Sequence, residues 1–130
     1  MKMTVITIAA LAAGLAFPAA AQDQAVPLSI DDSLICAGLF YAQSTLPENA
    51  GYAEGVEAYR NITATFLTRA EILAGRDGSS TEGHIPRAAE VAEMLIATVD
   101  AAPDPAGRYA VISTWSDLEE MCIAGGQQPT

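Results

Sequence analysis

The sequence predicts an all-α protein, a four-helix bundle of up-down-up-down topology that is closed by one disulfide and preceded by a signal peptide. The first 21 residues follow the order of regions in a cleavable export signal. After them, four stretches separated by proline or glycine carry apolar residues at helical spacing. Cys36 lies near the start of the first stretch and Cys122 near the end of the last, which places both at one end of such a bundle.

The N-terminal segment predicts export. Lys2 precedes an apolar run from Thr4 to Phe17, and Pro18 then leads into three alanines of the kind that signal peptidase accepts, so we place cleavage after Ala21. The run of 14 residues is shorter than the roughly 20 that a membrane-spanning helix needs. We expect a periplasmic or secreted protein with no membrane association after cleavage. The predicted organisation is a signal peptide over 1–21, a flexible lead-in over 22–29, a helical domain over 30–125 and a flexible tail over 126–130.

The net negative charge of the chain limits the kinds of partner that it can bind. Without residues 1–21 the chain keeps 109 residues, all 16 acidic residues and five of its six basic ones, a formal charge of −11. Such a surface repels phosphate backbones and anionic lipid headgroups, so we expect no nucleic-acid partner. Solubility in a periplasm-like space accounts for the acidity, and a basic partner or cationic ligand is the alternative.

The first helix is predicted over Ile30–Thr45. Ser29 and Asp32 have the spacing of a capping box at its start, and Pro47 ends it. Apolar residues cover most of its circumference, which is typical of a buried helix. Gly38 lies in its middle, where glycine is unfavourable, and so predicts a close helix contact.

The second helix is predicted over Glu48–Ala74, ending at Gly75, with a break near Gly51 or Gly55 left open. Residues of alternating 4 and 3 spacing predict its buried seam. They are Tyr52, Val56, Tyr59, Thr63, Phe66, Ala70 and Leu73. The opposite, solvent-facing side is expected to include Glu54, Glu57, Arg60, Arg69 and Glu71.

Two more helices follow a polar loop. The third is predicted over Pro86–Ala101, with proline near its first position. The fourth starts with Asp104 as N-cap and Pro105 at its first position, and it runs to about Ala124. The stretch 108–114 is the one place where a short strand could replace helix.

The two cysteines predict one disulfide, Cys36–Cys122, because an even pair in an oxidising compartment is typically bridged. Two buried free thiols are the alternative. A metal site would need more ligands close by, and His84 is the only histidine. Covalent haem attachment requires Cys-x-x-Cys-His, which the chain lacks, so no cofactor is predicted.

The preferred function class is a non-enzymatic exported protein that acts by contact with another protein. An inhibitor, an immunity factor, a chaperone or an accessory subunit would fit it, and the partner's identity and the oligomeric state stay open. No nucleophile–base grouping, phosphate loop or dinucleotide motif occurs in the sequence. The polar loop 75–85 is the candidate contact segment, with Arg76, Asp77 and an exposed His84 as candidate residues, and a mobile linker is the competing interpretation.

The alternative class is a small-ligand binder whose aromatic-lined cavity lies between the helices. Amphipathic rings can line such cavities, although plain core packing is the competing interpretation. The candidate residues are Tyr52, Tyr59, Phe66 and Trp115.

Overall fold

The protein is all-α in the part that a computed structural model describes, residues 26–130; the predicted signal peptide and the start of the lead-in lie outside the described residues. No strand occurs within this range, and the stretch 108–114, where a strand was possible, is helical through Ser113. The all-α prediction is confirmed. The elements of residues 26–130 are α1 (Ile30–Thr45), a 3-10 helix (Pro47–Asn49), α2 (Ala53–Asp77), α3 (His84–Asp100), α4 (Pro105–Ser113) and α5 (Ser116–Gly126).

Helix α1 begins and ends where the sequence predicts. The Ser29 hydroxyl accepts a hydrogen bond from the Asp32 backbone N–H at 3.0 Å, and the Asp32 carboxylate accepts one from the Ser29 N–H at 3.2 Å. These two bonds complete the capping box. Apolar side chains are buried on most sides of the helix, so α1 lies in the centre of the domain. They include Leu34, Ile35, Cys36, Ala37, Leu39, Phe40 and Ala42.

Helix α2 is shifted toward the C-terminus relative to its prediction. The predicted start at Glu48 is wrong, because Pro47–Asn49 form a 3-10 turn and α2 begins only at Ala53. The predicted stop at Gly75 is also wrong, since the helix continues to Asp77. Gly78 ends it with φ +72°, the left-handed conformation that glycine adopts without steric cost.

The predicted fourth helix is two helices. Asp104 caps the first of them as expected, its carboxylate accepting a hydrogen bond from the Gly107 N–H at 2.8 Å. The helix breaks at Thr114–Trp115, where the Trp115 N–H donates to the Ile112 carbonyl in a tighter turn. Trp115 is thereby buried in the core, and α5, which carries Cys122, continues to Gly126.

The helices are arranged around α1. It packs most extensively against α2 and α3, and less extensively against α5, whereas α2 and α3 have little contact with each other. In an up-down-up-down bundle, consecutive helices are neighbours around a shared core. The structure does not confirm that topology, because the all-round apolar surface of α1 draws it between α2 and α3.

Gly38 sets the distance between α1 and α3. A Cβ atom at position 38 would lie 2.6 Å from the Ala88 carbonyl oxygen and 2.7 Å from the Val91 Cβ. Real Cβ atoms essentially never approach so closely, so only glycine permits this spacing. The predicted close helix contact is confirmed.

The Cys36–Cys122 disulfide is present. It joins α1 to α5 with a Cα–Cα distance of 5.7 Å, in the usual range for a bridge, and both residues are fully buried. No free cysteine occurs in the described range. The alternative of two free thiols is therefore wrong.

Candidate functional site

The structure does not bring the four candidate cavity residues to one place. Phe66 and Trp115 are buried in the core, where the Phe66 ring stacks on Phe40 at a centroid distance of 5.8 Å. Tyr52 instead has 72% of its surface exposed, and with Tyr59 it lines a surface groove. The groove has a volume of about 490 Å³; we call it the tyrosine groove and define it by Asn49, Tyr52, Ala53, Glu54, Gly55 and Tyr59.

The position of Tyr52 follows from the local backbone. Its N–H donates to the Asn49 carbonyl at 3.0 Å, and its own carbonyl accepts from the Val56 N–H at 2.9 Å as the N-cap of α2. A tyrosine cannot cap a helix with its side chain, and no side-chain cap bond is present at this helix start. The ring lies in solvent at the edge of the groove.

A polar network lies behind the groove. The buried Gln43 side chain of α1 donates from Nε2 to the Glu119 carboxylate of α5. Asn49 donates from Nδ2 to the Gln43 backbone carbonyl at 2.8 Å and to Gln43 Oε1 at 2.9 Å. The amide of Gln43 thus orients both neighbours and connects α1, α5 and the 3-10 turn.

The network contains one acidic group, the Glu119 carboxyl, which also acts on Tyr59. Burial raises the pKa of Glu119 above its usual range, and the hydrogen bond from Gln43 opposes that rise. Burial also raises the pKa of Tyr59, and the negative charge of Glu119 raises it further. In the described chain neither Glu119 nor the exposed Glu54 forms an ion pair. The groove thus offers aromatic side chains beside the Glu54 carboxylate, and Glu119 lies behind Tyr59 outside the groove lining.

Glu119→Gln is expected to raise the melting temperature at pH 7 by about 1–3 °C. The fold favours the protonated carboxyl, so this group's contribution to stability is greatest below its unfolded pKa and falls as pH rises through the raised folded pKa. Glutamine keeps an acceptor for Gln43 and removes the charge. The measurement is thermal unfolding at pH 7 and at about pH 4, where protonation of Glu119 should bring the two proteins together. Glu120→Gln, on the exposed side of α5, is the control; a variant less stable than the wild type at pH 7 would contradict the prediction.

The structure divides the candidate contact loop. The predicted range 75–85 is too long, because α2 extends through Asp77 and α3 begins at His84. Arg76 and Asp77 are exposed in the last turn of α2. His84 is only 8% exposed, so its predicted exposure on a loop is wrong; the first turn of α3 turns its ring inward, and its Nδ1 atom is buried.

Sequence reasoning missed two buried polar features of the structure. Arg69 was expected on the solvent-facing side of α2, but it is 7% exposed, because α5 and the segment after it lie over that side. The Gln43–Glu119 bond joins residues 76 positions apart. A glutamine within the largely apolar helix α1 is the sequence signal that could have pointed to it.

No group of three or more His, Cys, Asp or Glu side chains within residues 26–130 could hold a metal ion. No helix in the same range is long and apolar enough to cross a membrane.

Comparison with known proteins assigns no family to the chain. No protein-family description matches it, and no curated protein and no solved structure matches it either.

Proposed function

We propose that this chain is an exported, non-enzymatic protein that acts by contact with a basic protein partner through the tyrosine groove. The proposal includes the signal peptide over 1–21 and a periplasmic or secreted location. A disulfide that closes the helical domain supports an oxidising compartment. The formal charge of −11 that remains after cleavage supports a partner of opposite charge.

The observation that carries the proposal is the exposed Tyr52 ring in one groove with the Glu54 carboxylate, which forms no ion pair in the described chain. Tyrosine rings attract an arginine or lysine side chain through their negative faces, and interfaces are enriched in tyrosine. Glu54 lies on the same groove, and Glu119 adds charge behind Tyr59. A basic side chain entering the groove would meet both an aromatic face and negative charge.

The test uses a short synthetic peptide that carries one arginine between apolar residues. Its neutral counterpart has citrulline in place of arginine, which keeps the shape and removes the charge. Binding measured by isothermal titration should be at least about fivefold weaker for the citrulline peptide, because a cation–aromatic contact contributes about 1 kcal/mol. Equal binding of both peptides would contradict the proposal.

Tyr52→Ala is expected to weaken binding of the arginine peptide by at least about fivefold without lowering the melting temperature, since its ring is mostly exposed. Tyr109→Ala is the matched control. Tyr109 is 69% exposed on α4 and does not line the groove, so its removal should change the affinity by less than about twofold. If the two variants weaken binding equally, the contact is not at the groove.

Small-ligand binding is the second function class. A separate groove between α2 and α5, to which Phe66 contributes, favours it; the four predicted aromatic residues do not favour it as a set. This groove does not include Tyr52, Tyr59 or Trp115 among its lining residues. The two functions therefore concern different surfaces.

A further inference from the structure

A second groove lies between the outer side of α2 and the end of α5, with a volume of about 560 Å³. We call it the α2/α5 groove. This volume is in the range of pockets that hold small organic ligands. Its apolar walls are Ile62, Phe66 and Ile72 from α2 and Ile123 from α5, and Ile72 and Ile123 are both exposed to solvent.

The charge of this groove is opposite to that of the rest of the protein. The chain has 16 acidic residues, yet no carboxylate occurs among the described side chains that line the groove. Arg69 is the one charged side chain of that lining among the described residues. On this acidic protein, the α2/α5 groove is a place where an anion would meet a cationic side chain without a competing Asp or Glu side chain.

Arg69 has only neutral hydrogen-bond partners in residues 26–130. Its Nη1 donates to the carbonyl oxygens of Gly126 at 3.2 Å and Gln128 at 2.8 Å, and its Nη2 donates to that of Pro129 at 3.4 Å. Its Nε is buried and has no partner in the same range. Burial lowers the pKa of the guanidinium, because no anion compensates for the lost hydration.

Two other arginines of this chain show what the Nε–Nη2 edge of a guanidinium can bind. Arg87 binds Asp31 through Nε at 3.0 Å and Nη2 at 3.3 Å. Arg108 binds Glu48 through the same pair of atoms, at 2.6 and 3.1 Å. In both, the Nε–Nη2 edge grips the two oxygens of one carboxylate. In Arg69 this edge carries only the long bond to Pro129.

A purely structural role explains part of the Arg69 geometry. A cation at the C-terminus of a helix stabilises its last carbonyls, and the Nη1 bonds to the segment after α5 fit that role. They do not explain a buried Nε without a partner, which costs free energy unless something binds it. A structural role therefore explains the Nη1 bonds of Arg69 but not its Nε–Nη2 edge.

We propose that the α2/α5 groove binds an aliphatic carboxylate, a fatty-acid-like ligand whose carboxylate takes the Nε–Nη2 edge of Arg69. Its carboxylate displaces the Pro129 carbonyl, and its apolar chain lies against Ile72 and Ile123. Thr65 and Thr68 line the same groove; the Thr65 hydroxyl already donates to the Asn61 carbonyl at 3.0 Å, so the Thr68 hydroxyl is the one that we expect to donate to the carboxylate. This inference is independent of the peptide contact proposed for the tyrosine groove and gives the second function class its ligand.

The test is titration of the purified protein, labelled with ¹³C at isoleucine methyl groups, with dodecanoate below its micelle concentration. The methyl signals of Ile72 and Ile123 should shift saturably, with a dissociation constant below about 100 μM. The methyl signal of Ile85, which lies in another groove, should not move. The cation dodecyltrimethylammonium, with the same chain length, should bind there at least about tenfold more weakly.

Variants identify the groups that bind. Ile123→Glu places a carboxylate on the exposed wall and should weaken dodecanoate binding at least about tenfold, or about 1.4 kcal/mol. Ile85→Glu makes the same substitution at an exposed position outside the groove and should leave binding within about twofold. Arg69→Met should also weaken binding at least about tenfold, and Arg69→Lys should restore only part of it because lysine lacks the fork.

The proposal is overturned if dodecanoate gives no saturable shift up to about 1 mM, a limit that corresponds to about 4 kcal/mol of binding free energy. It is also overturned if Ile123→Glu binds dodecanoate as tightly as the wild type does, or if the cation binds equally well. Should Arg69→Met fail to fold, the Ile123→Glu and Ile85→Glu pair still decides. Tyr52→Ala should keep dodecanoate binding unchanged, which separates this result from the peptide test.

Discussion

The double variant Cys36→Ser/Cys122→Ser is expected to melt about 10–20 °C below the wild type. The bridge joins residues 86 positions apart. In the chain-entropy description a loop of this length stabilises the fold by about 4.6 kcal/mol, and disulfides typically contribute about 2–4 kcal/mol, the range that gives the expected shift. The structure adds a local reason. Helix α5 contacts α1 much less extensively than α2 does, so the buried bridge supplies a large part of its attachment. Circular dichroism at 222 nm against temperature gives the measurement.

Reductant provides the control for this disulfide prediction. It should lower the melting temperature of the wild type toward that of the double variant and leave the double variant unchanged. A double variant that melts with the wild type would contradict the prediction and would mean that α5 is held by packing alone. Loss of α5 should also expose Trp115, which directly precedes it, so a red shift in tryptophan emission at the lower transition is expected as a second readout.

Gly38→Ala is expected to destabilise the fold by about 1–3 kcal/mol or more, the cost of forcing extra volume into a packed core. The added Cβ would meet the Ala88 carbonyl oxygen at 2.6 Å and the Val91 side chain at 2.7 and 2.8 Å. A backbone oxygen cannot rotate away as a flexible side chain can. The α1–α3 pair must therefore move apart, which loosens the contacts of Val91, a fully buried residue. Urea unfolding followed by circular dichroism measures the loss.

Gly75→Ala is the matched control for Gly38→Ala. Gly75 lies within α2, and a Cβ there would have no neighbour within 4 Å. Alanine at such a helical position should stabilise the protein by about 0.5–1 kcal/mol, because glycine loses more backbone freedom on folding. The two substitutions are chemically identical and should act in opposite directions. A stabilising Gly38→Ala would contradict the close packing of α1 against α3.

For the candidate sites, sequence reasoning found residues but not their arrangement. The periodicity of α2 placed Tyr52, Tyr59 and Phe66 on one seam, and Phe66 does enter the core. Tyr52 does not, because the 3-10 turn at Pro47–Asn49 delays the helix and leaves Tyr52 as an exposed N-cap. Periodicity assumes that a helix is already present, so it fails at the ends of helices.

Charged and titratable residues were the least predictable from the sequence. Arg69 looks solvent-facing within α2, since charged residues are rarely buried. It is covered only because α5 and the following residues return across α2, and their carbonyls then serve as its hydrogen-bond partners. His84 is buried for a similar reason: α3 begins two residues before the predicted first residue, Pro86, and its first turn faces α2.

The sequence by itself determined the all-α class, the capped start of α1, the burial of α1, the glycine contact at Gly38 and the Cys36–Cys122 bridge. Each depends on local chemistry or on the identity of one residue: a capping pair, an all-round apolar surface, a missing side chain, or the only two thiols. The tertiary structure alone decided the division of the last helix at Trp115 and the packing of α2 and α3 on α1. It also decided the Glu119 network and the cover over Arg69, because these depend on contacts between distant segments, which no local pattern encodes.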